Sequence, residues 1–97
     1  MPINVLRKKE KSMEVITDNL IQIAEFLYQE NIPIAYQQLR VALPTLETVI
    51  NEIEQEETRN LMKDKLLQAL KAMEDEDYIL LADTIQYEIV EELQNIN

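Results

Sequence analysis

From Tyr36 to Ile53 the apolar residues Tyr36, Leu39, Leu43, Leu46, Ile50 and Ile53 recur at spacings of 3, 4, 3, 4 and 3. That is the repeat of one face of a helix; side chains on a strand alternate every second residue instead. Pro44 lies inside the stripe. A proline removes one intrahelical hydrogen bond and clashes with the preceding turn, so a kink or break is expected there, with Thr45 as the cap of a restart. The stripe keeps its phase across Pro44, which predicts a kinked pair of helical pieces rather than a loop.

The rest of the chain repeats this pattern. A first helix is predicted from a cap at Ser12 to about Glu30, with Met13, Ile16, Leu20, Ile23, Ala24, Leu27 and Tyr28 on its buried face. Asn31 is the expected left-handed residue after it, and Pro33 is placed to open the next helix. A third helix is predicted over about Thr58–Met73, burying Met62, Leu66, Ala69, Leu70 and Met73. A fourth opens at the acids Asp75, Glu76 and Asp77, whose carboxylates suit the free N–H groups and positive dipole of a helix start. It runs to about Gln94 on a face of Tyr78, Leu81, Ala82, Ile85, Ile89 and Leu93. Short connections make successive helices antiparallel. The expected fold is all-α, an antiparallel four-helix or kinked five-helix bundle. A single domain spans residues 12–97 behind a basic N-terminal tail, residues 1–11, and the fold is expected to survive loss of that tail.

Three residue types are missing, and each absence excludes chemistry. The 97 residues include no Cys, no His and no Gly. Disulfides, thiolate nucleophiles and Cys-based metal sites are excluded, in keeping with a reducing cytoplasm. So are the commonest general acid/base and the usual transition-metal ligand. Glycine-rich phosphate loops and nucleophile elbows are excluded as well. The remaining acid clusters do not replace them. Glu74, Asp75, Glu76 and Asp77 lack the spacing, the Gly and the late Glu of a calcium loop, and read as a helix-start cluster. A di-metal bundle site needs Glu-x-x-His, so Asp83, Glu88, Glu91 and Glu92 read as surface acids. A paired-carboxylate glycosidase needs a cleft that so small a bundle rarely holds. The chain is therefore expected to be no enzyme, with no metal, no cofactor and no small-molecule substrate.

The formal charge is −10 and it is uneven. Residues 1–12 carry a net +3 from Arg7, Lys8, Lys9 and Lys11 against Glu10, and residues 13–97 carry −13. From Ala72 onward there are eight acids and no base. Such a body repels nucleic acid and anionic membranes and attracts a basic partner. No apolar run approaches a membrane span, and the start of the chain lacks the apolar core of a signal peptide. A cytoplasmic protein is expected.

The positive signal for function is apolar residues off the main faces. Val15 and Phe26 do not fit the buried face of the first helix, and Leu61, Leu67 and Ala72 do not fit that of the third. In the fourth, Ile79, Leu80, Tyr87 and Val90 form a second stripe around Asp83. A helix apolar around much of its circumference is central in a fold or touches a second body. Three accounts stand side by side: the true helix phases differ from these, or the tail covers one stripe through Val5 and Leu6, or the stripes are a contact surface. Ile79, Leu80, Asp83, Tyr87, Val90, Phe26 and Val15 are the candidate contact residues. Tyr87 is the best single anchor, since tyrosine joins an apolar ring to a polar tip. An apolar strip rimmed by acids suits an amphipathic helix with a basic flank, or a second copy in a homodimer.

The stretch Ala69–Leu93 resembles small acidic helical proteins of Gram-positive bacteria. There a helix ending in acids is followed by an Asp-aromatic start, Leu-Ala-Asp and Tyr-Glu, matched here by Asp77, Tyr78, Leu81, Ala82, Asp83, Tyr87 and Glu88. That family is uncharacterised. The resemblance implies a bacterial cytoplasmic helical protein and no activity. The expectation is a non-enzymatic protein–protein interaction module. One alternative is a small export or assembly chaperone, similar in size and acidity to the flagellar type, that holds a client helix. Another is an acidic mimic of nucleic acid, although the acids gather toward the C-terminal third rather than along a regular double row.

Overall fold

The computed structural model describes the backbone of residues 3–96 and the side chains of residues 13–96. It is an all-α bundle with no strand among the described residues. α1 spans Ile3–Tyr28, α2 Ile32–Asn51 and α3 Glu56–Glu74. The fourth helix, α4, is continuous but changes pitch: Tyr78–Asp83 is α-helical, Thr84–Val90 is π-helical and Glu91–Asn95 is α-helical again.

α4 lies between α1 and α3, and α2 packs on the other flank of α1. α1 and α4 run antiparallel. Tyr28 at the end of α1 meets Asp83 near the start of α4, while Met13 and Thr17 lie by Leu93 and Gln94. One core joins the helices. Ile16, Leu20, Ile23 and Leu27 meet Leu81, Ile85, Ile89 and Leu93, with Leu39, Leu46 and Ile50 behind them and Met62 and Leu66 closing the α3 side. The stripe along α2 is wider than its heptad. Ala35, Ala42 and Val49 are buried beside it because their smaller side chains let α1 approach closely. Tyr36 ties α2 to the α3–α4 corner. Its hydroxyl donates to the Met73 carbonyl at 2.9 Å, and its ring meets Tyr78 edge-on at 6.0 Å.

Four boundaries differ from the sequence expectation. α1 begins at Ile3, and Ser12 is interior to it. Nothing from Ile3 to Tyr28 breaks a helix, and Leu, Arg, Lys and Glu favour one. The idea that Val5 and Leu6 cover a stripe falls on side chains outside the described ones. α2 is a single helix through Pro44, so the five-piece variant and the Thr45 restart do not occur. Pro44 and Arg40 are both exposed, which leaves the Arg40 carbonyl, deprived of its partner, open to water. Of the acids thought to open α4, only Asp77 caps it, accepting from the Leu80 N–H at 3.2 Å. Asp75 ends α3, where it pairs with Lys71.

The fourth difference concerns the left-handed positions. They are held by Glu30 at φ 65° and Glu76 at φ 57°, not by Asn31. Both close Schellman turns: Asn31 N–H donates to Phe26 O and Glu30 N–H to Leu27 O, and Asp77 N–H to Ala72 O and Glu76 N–H to Met73 O. Glycine is the usual residue there, and a Cβ in the left-handed region costs roughly 1–2 kcal/mol. Glu30→Gly and Glu76→Gly are therefore each expected to stabilise the fold by about 1 kcal/mol, after the entropy lost with glycine is set against the relief. Urea unfolding of each variant reads this directly. A loss of stability at both positions would contradict the strain account.

Candidate interaction surface

The outward side of α4 starts at its cap. With Asp77 fixing the first turn, Leu81, Ala82 and Ile85 turn into the core, and Ile79 and Leu80 turn out. Ile79 is 57% exposed, Leu80 51% and Tyr87 61%. Leu80, Asp83 and Tyr87 are spaced 3 and 4 apart, so they line one face. Asp83 is half-buried between them and accepts a hydrogen bond from the Tyr28 hydroxyl, 55 residues away on α1. Partial burial, with the hydrogen bond and negative charge of Asp83 behind it, pushes the Tyr28 pKa up to about 12. Tyr87 lies close enough to add to that shift. Tyr28, Asp83 and Tyr87 thus form one polar cluster edged by Leu80.

This contact has a pH signature. The phenol keeps its proton in the folded state above the ordinary value of 10.0. Its contribution to stability is therefore full below that value and is lost as pH rises toward about 12. In a tyrosinate absorbance titration, Tyr28 is expected to ionise late, and Tyr36, also raised by burial, later than normal. Tyr28→Phe is expected to remove the latest step. A titration unchanged by that substitution would contradict the assignment.

Toward the C-terminal end of α4 a shallow open groove of about 240 Å³ runs between α3 and α4. Leu61, Met62 and Tyr87 form its apolar part, and Glu88, Glu91 and Glu92 edge it. Lys65, its one cation, pairs with Glu88 at 2.6 Å, and the hydrogen bond to that carboxylate raises the lysine pKa. The groove is smaller and more open than the cavities that enclose small molecules, which usually exceed about 300 Å³. Among the described residues no three carboxylates converge as metal ligands, and no helix is long and apolar enough to cross a membrane.

The seven candidate contact residues divide. Ile79, Leu80, Asp83 and Tyr87 come together on α4. Val15 is 57% exposed, but it lies on α1 thirteen residues before Tyr28, roughly 20 Å along the helix, and does not join them. Phe26 is half-buried against the core. Val90 is a core residue at 4% exposure. The π-helical segment accounts for it. An α-helix advances about 100° per residue, which would turn Val90 away from Leu81 and Ile85; the wider π turns advance less and bring it back. In α3, Leu61 and Leu67 are exposed as expected, while Ala72 is buried. Tyr28 falls on the predicted buried face of α1, yet it is exposed and pairs with Asp83. No local pattern marks that partnership. The exposed Ile34 and Val41 on α2 also escaped the periodicity reading.

The chain belongs to a family described as a domain of unknown function, DUF8042, which it matches over residues 4–97. No curated protein and no solved structure matches it.

Proposed function

We propose that the protein is a non-enzymatic interaction module of the cytoplasm that takes a protein helix on the outer side of α4. The observation that carries the reading is the exposure of Leu80 and Tyr87 on α4, a helix packed on both flanks, on either side of an anchored Asp83. Exposed leucines scattered singly mean little, but an apolar pair flanking a fixed polar group supplies both contact area and orientation. The acids around it favour a partner with basic residues beside its apolar face. A chaperone holding a client helix would use the same surface. A nucleic-acid mimic draws less support, because Leu80 and Tyr87 interrupt the acids where such a mimic would present them.

The test places a photo-reactive aromatic residue at Tyr87 of the full chain in living cells, and another at Glu47, an exposed position on α2. A defined protein adduct is expected from position 87 and none from position 47. Adducts equal at both positions, or absent from both, would overturn the reading.

A further inference from the structure

α1 runs on past the end of α4. It runs antiparallel to α4, and Met13 and Thr17 are level with Leu93 and Gln94 at the end of that helix. The helical backbone continues back to Ile3. Its first ten residues therefore run on past the end of α4 by roughly 15 Å. This extension is the basic part of the chain: Arg7, Lys8, Lys9 and Lys11, with Ile3, Val5 and Leu6 beside them. The groove between α3 and α4 opens toward the same end, with Leu61 and Tyr87 edged by Glu88, Glu91 and Glu92. An apolar and basic helix and an apolar and acidic groove thus occur in one chain. Within one chain α4 stands between α1 and α3, so a straight α1 runs on the far side of α4 from the groove.

We propose that the groove is filled by the N-terminal extension of a second copy, in a reciprocal dimer where each chain supplies one helix and one groove. The inference rests on the reading of α4 as a contact surface and names the occupant. A twofold axis across the projecting ends sets the two extensions antiparallel and seats each beside the other chain's groove, the self-complementary arrangement of a closed dimer. Charge favours this docking over other self-contacts. Two bodies of −13 repel wherever they meet without the extensions, and a +3 segment placed on each acidic rim is the contact that lowers that repulsion.

The experiment is light scattering of the full chain across concentration, with two charge-reversed variants. Lys8→Glu/Lys9→Glu reverses the extension and Glu91→Lys/Glu92→Lys reverses the rim. The wild type is expected to dimerise, and each variant alone to associate at least about tenfold more weakly, with helix content and melting retained. An equimolar mixture of the two variants is expected to recover the dimer, since each altered extension then faces an altered rim. Deleting residues 1–11 is expected to give a folded monomer. A wild type that is monomeric throughout, or a dimer indifferent to both reversals, would overturn the proposal. A monomer that still yields an adduct to a different protein at position 87 would overturn the dimer and leave the contact surface standing. A chain without adducts at position 87 would overturn the surface itself.

Discussion

Leu81→Ala is expected to destabilise the fold by about 3–5 kcal/mol, and Leu80→Ala by less than about 1 kcal/mol. The two leucines are neighbours in the sequence and opposites in the structure. Leu81 is fully enclosed, on the side of α4 that packs into the α1 interface, and Leu80 is half exposed on the outside. Truncating Leu81 loses the transfer energy of the side chain and leaves a cavity that helices on both flanks cannot fill. Truncating Leu80 removes only surface already shared with water. A small domain has roughly 5–15 kcal/mol of stability in all, so the first variant is expected to be partly unfolded and the second hardly changed. Urea unfolding of both variants measures the contrast. Equal losses would place Leu80 in the core.

The second large effect is expected from single-residue deletions. A π-helical segment amounts to an α-helix holding an extra residue. Deleting Gln86 from Thr84–Val90 should let that stretch close into ordinary α-helix while Ile89, Val90 and Leu93 keep facing the core. The deletion is therefore expected to leave a folded protein. Deleting Gln68, an exposed residue of α3, has no extra residue to absorb it. It turns every later side chain by about 100°, which carries Ala69 and Ala72 out of the core and breaks the entry to α4. That variant is expected to be largely unfolded, at a cost of about 4 kcal/mol or more. Circular dichroism and melting of the two deletions decide the point. If removal of Gln86 proves as damaging as removal of Gln68, the π-helical segment is not what sets the phase of Val90.

The parts of the fold that periodicity could reach were legible. Leu20, Ile23 and Leu27 in α1, and Leu81 and Ile85 in α4, stood on predicted faces because each helix buries one side against its neighbours. The stripe from Tyr36 to Ile53 also held its phase across Pro44. What escaped depends on contacts distant in sequence or on geometry without a pattern. Nothing in Thr84–Val90 marks a change of pitch, so periodicity alone places Val90 on the outer side. The Tyr28–Asp83 contact is visible only once α1 and α4 lie together. The left-handed turns hid because the residues in them, Glu30 and Glu76, are not the Gly or Asn that usually marks such a helix end. Of the candidate contact residues, Ile79, Leu80, Asp83 and Tyr87 are off phase from the core in the sequence and lie together on α4. Val15 and Phe26 shared that property without sharing a location.

On the proposed reading, Leu80 and Tyr87 serve a contact rather than the fold. It is tested most directly by the double variant Leu80→Ala/Tyr87→Ala of the full chain, followed side by side for thermal melting and for formation of its complex, whether with itself or with another protein. Melting within a few degrees of wild type, as for exposed positions, and loss of the complex are expected. A large fall in melting temperature with the complex retained would make both residues part of the core and contradict that reading.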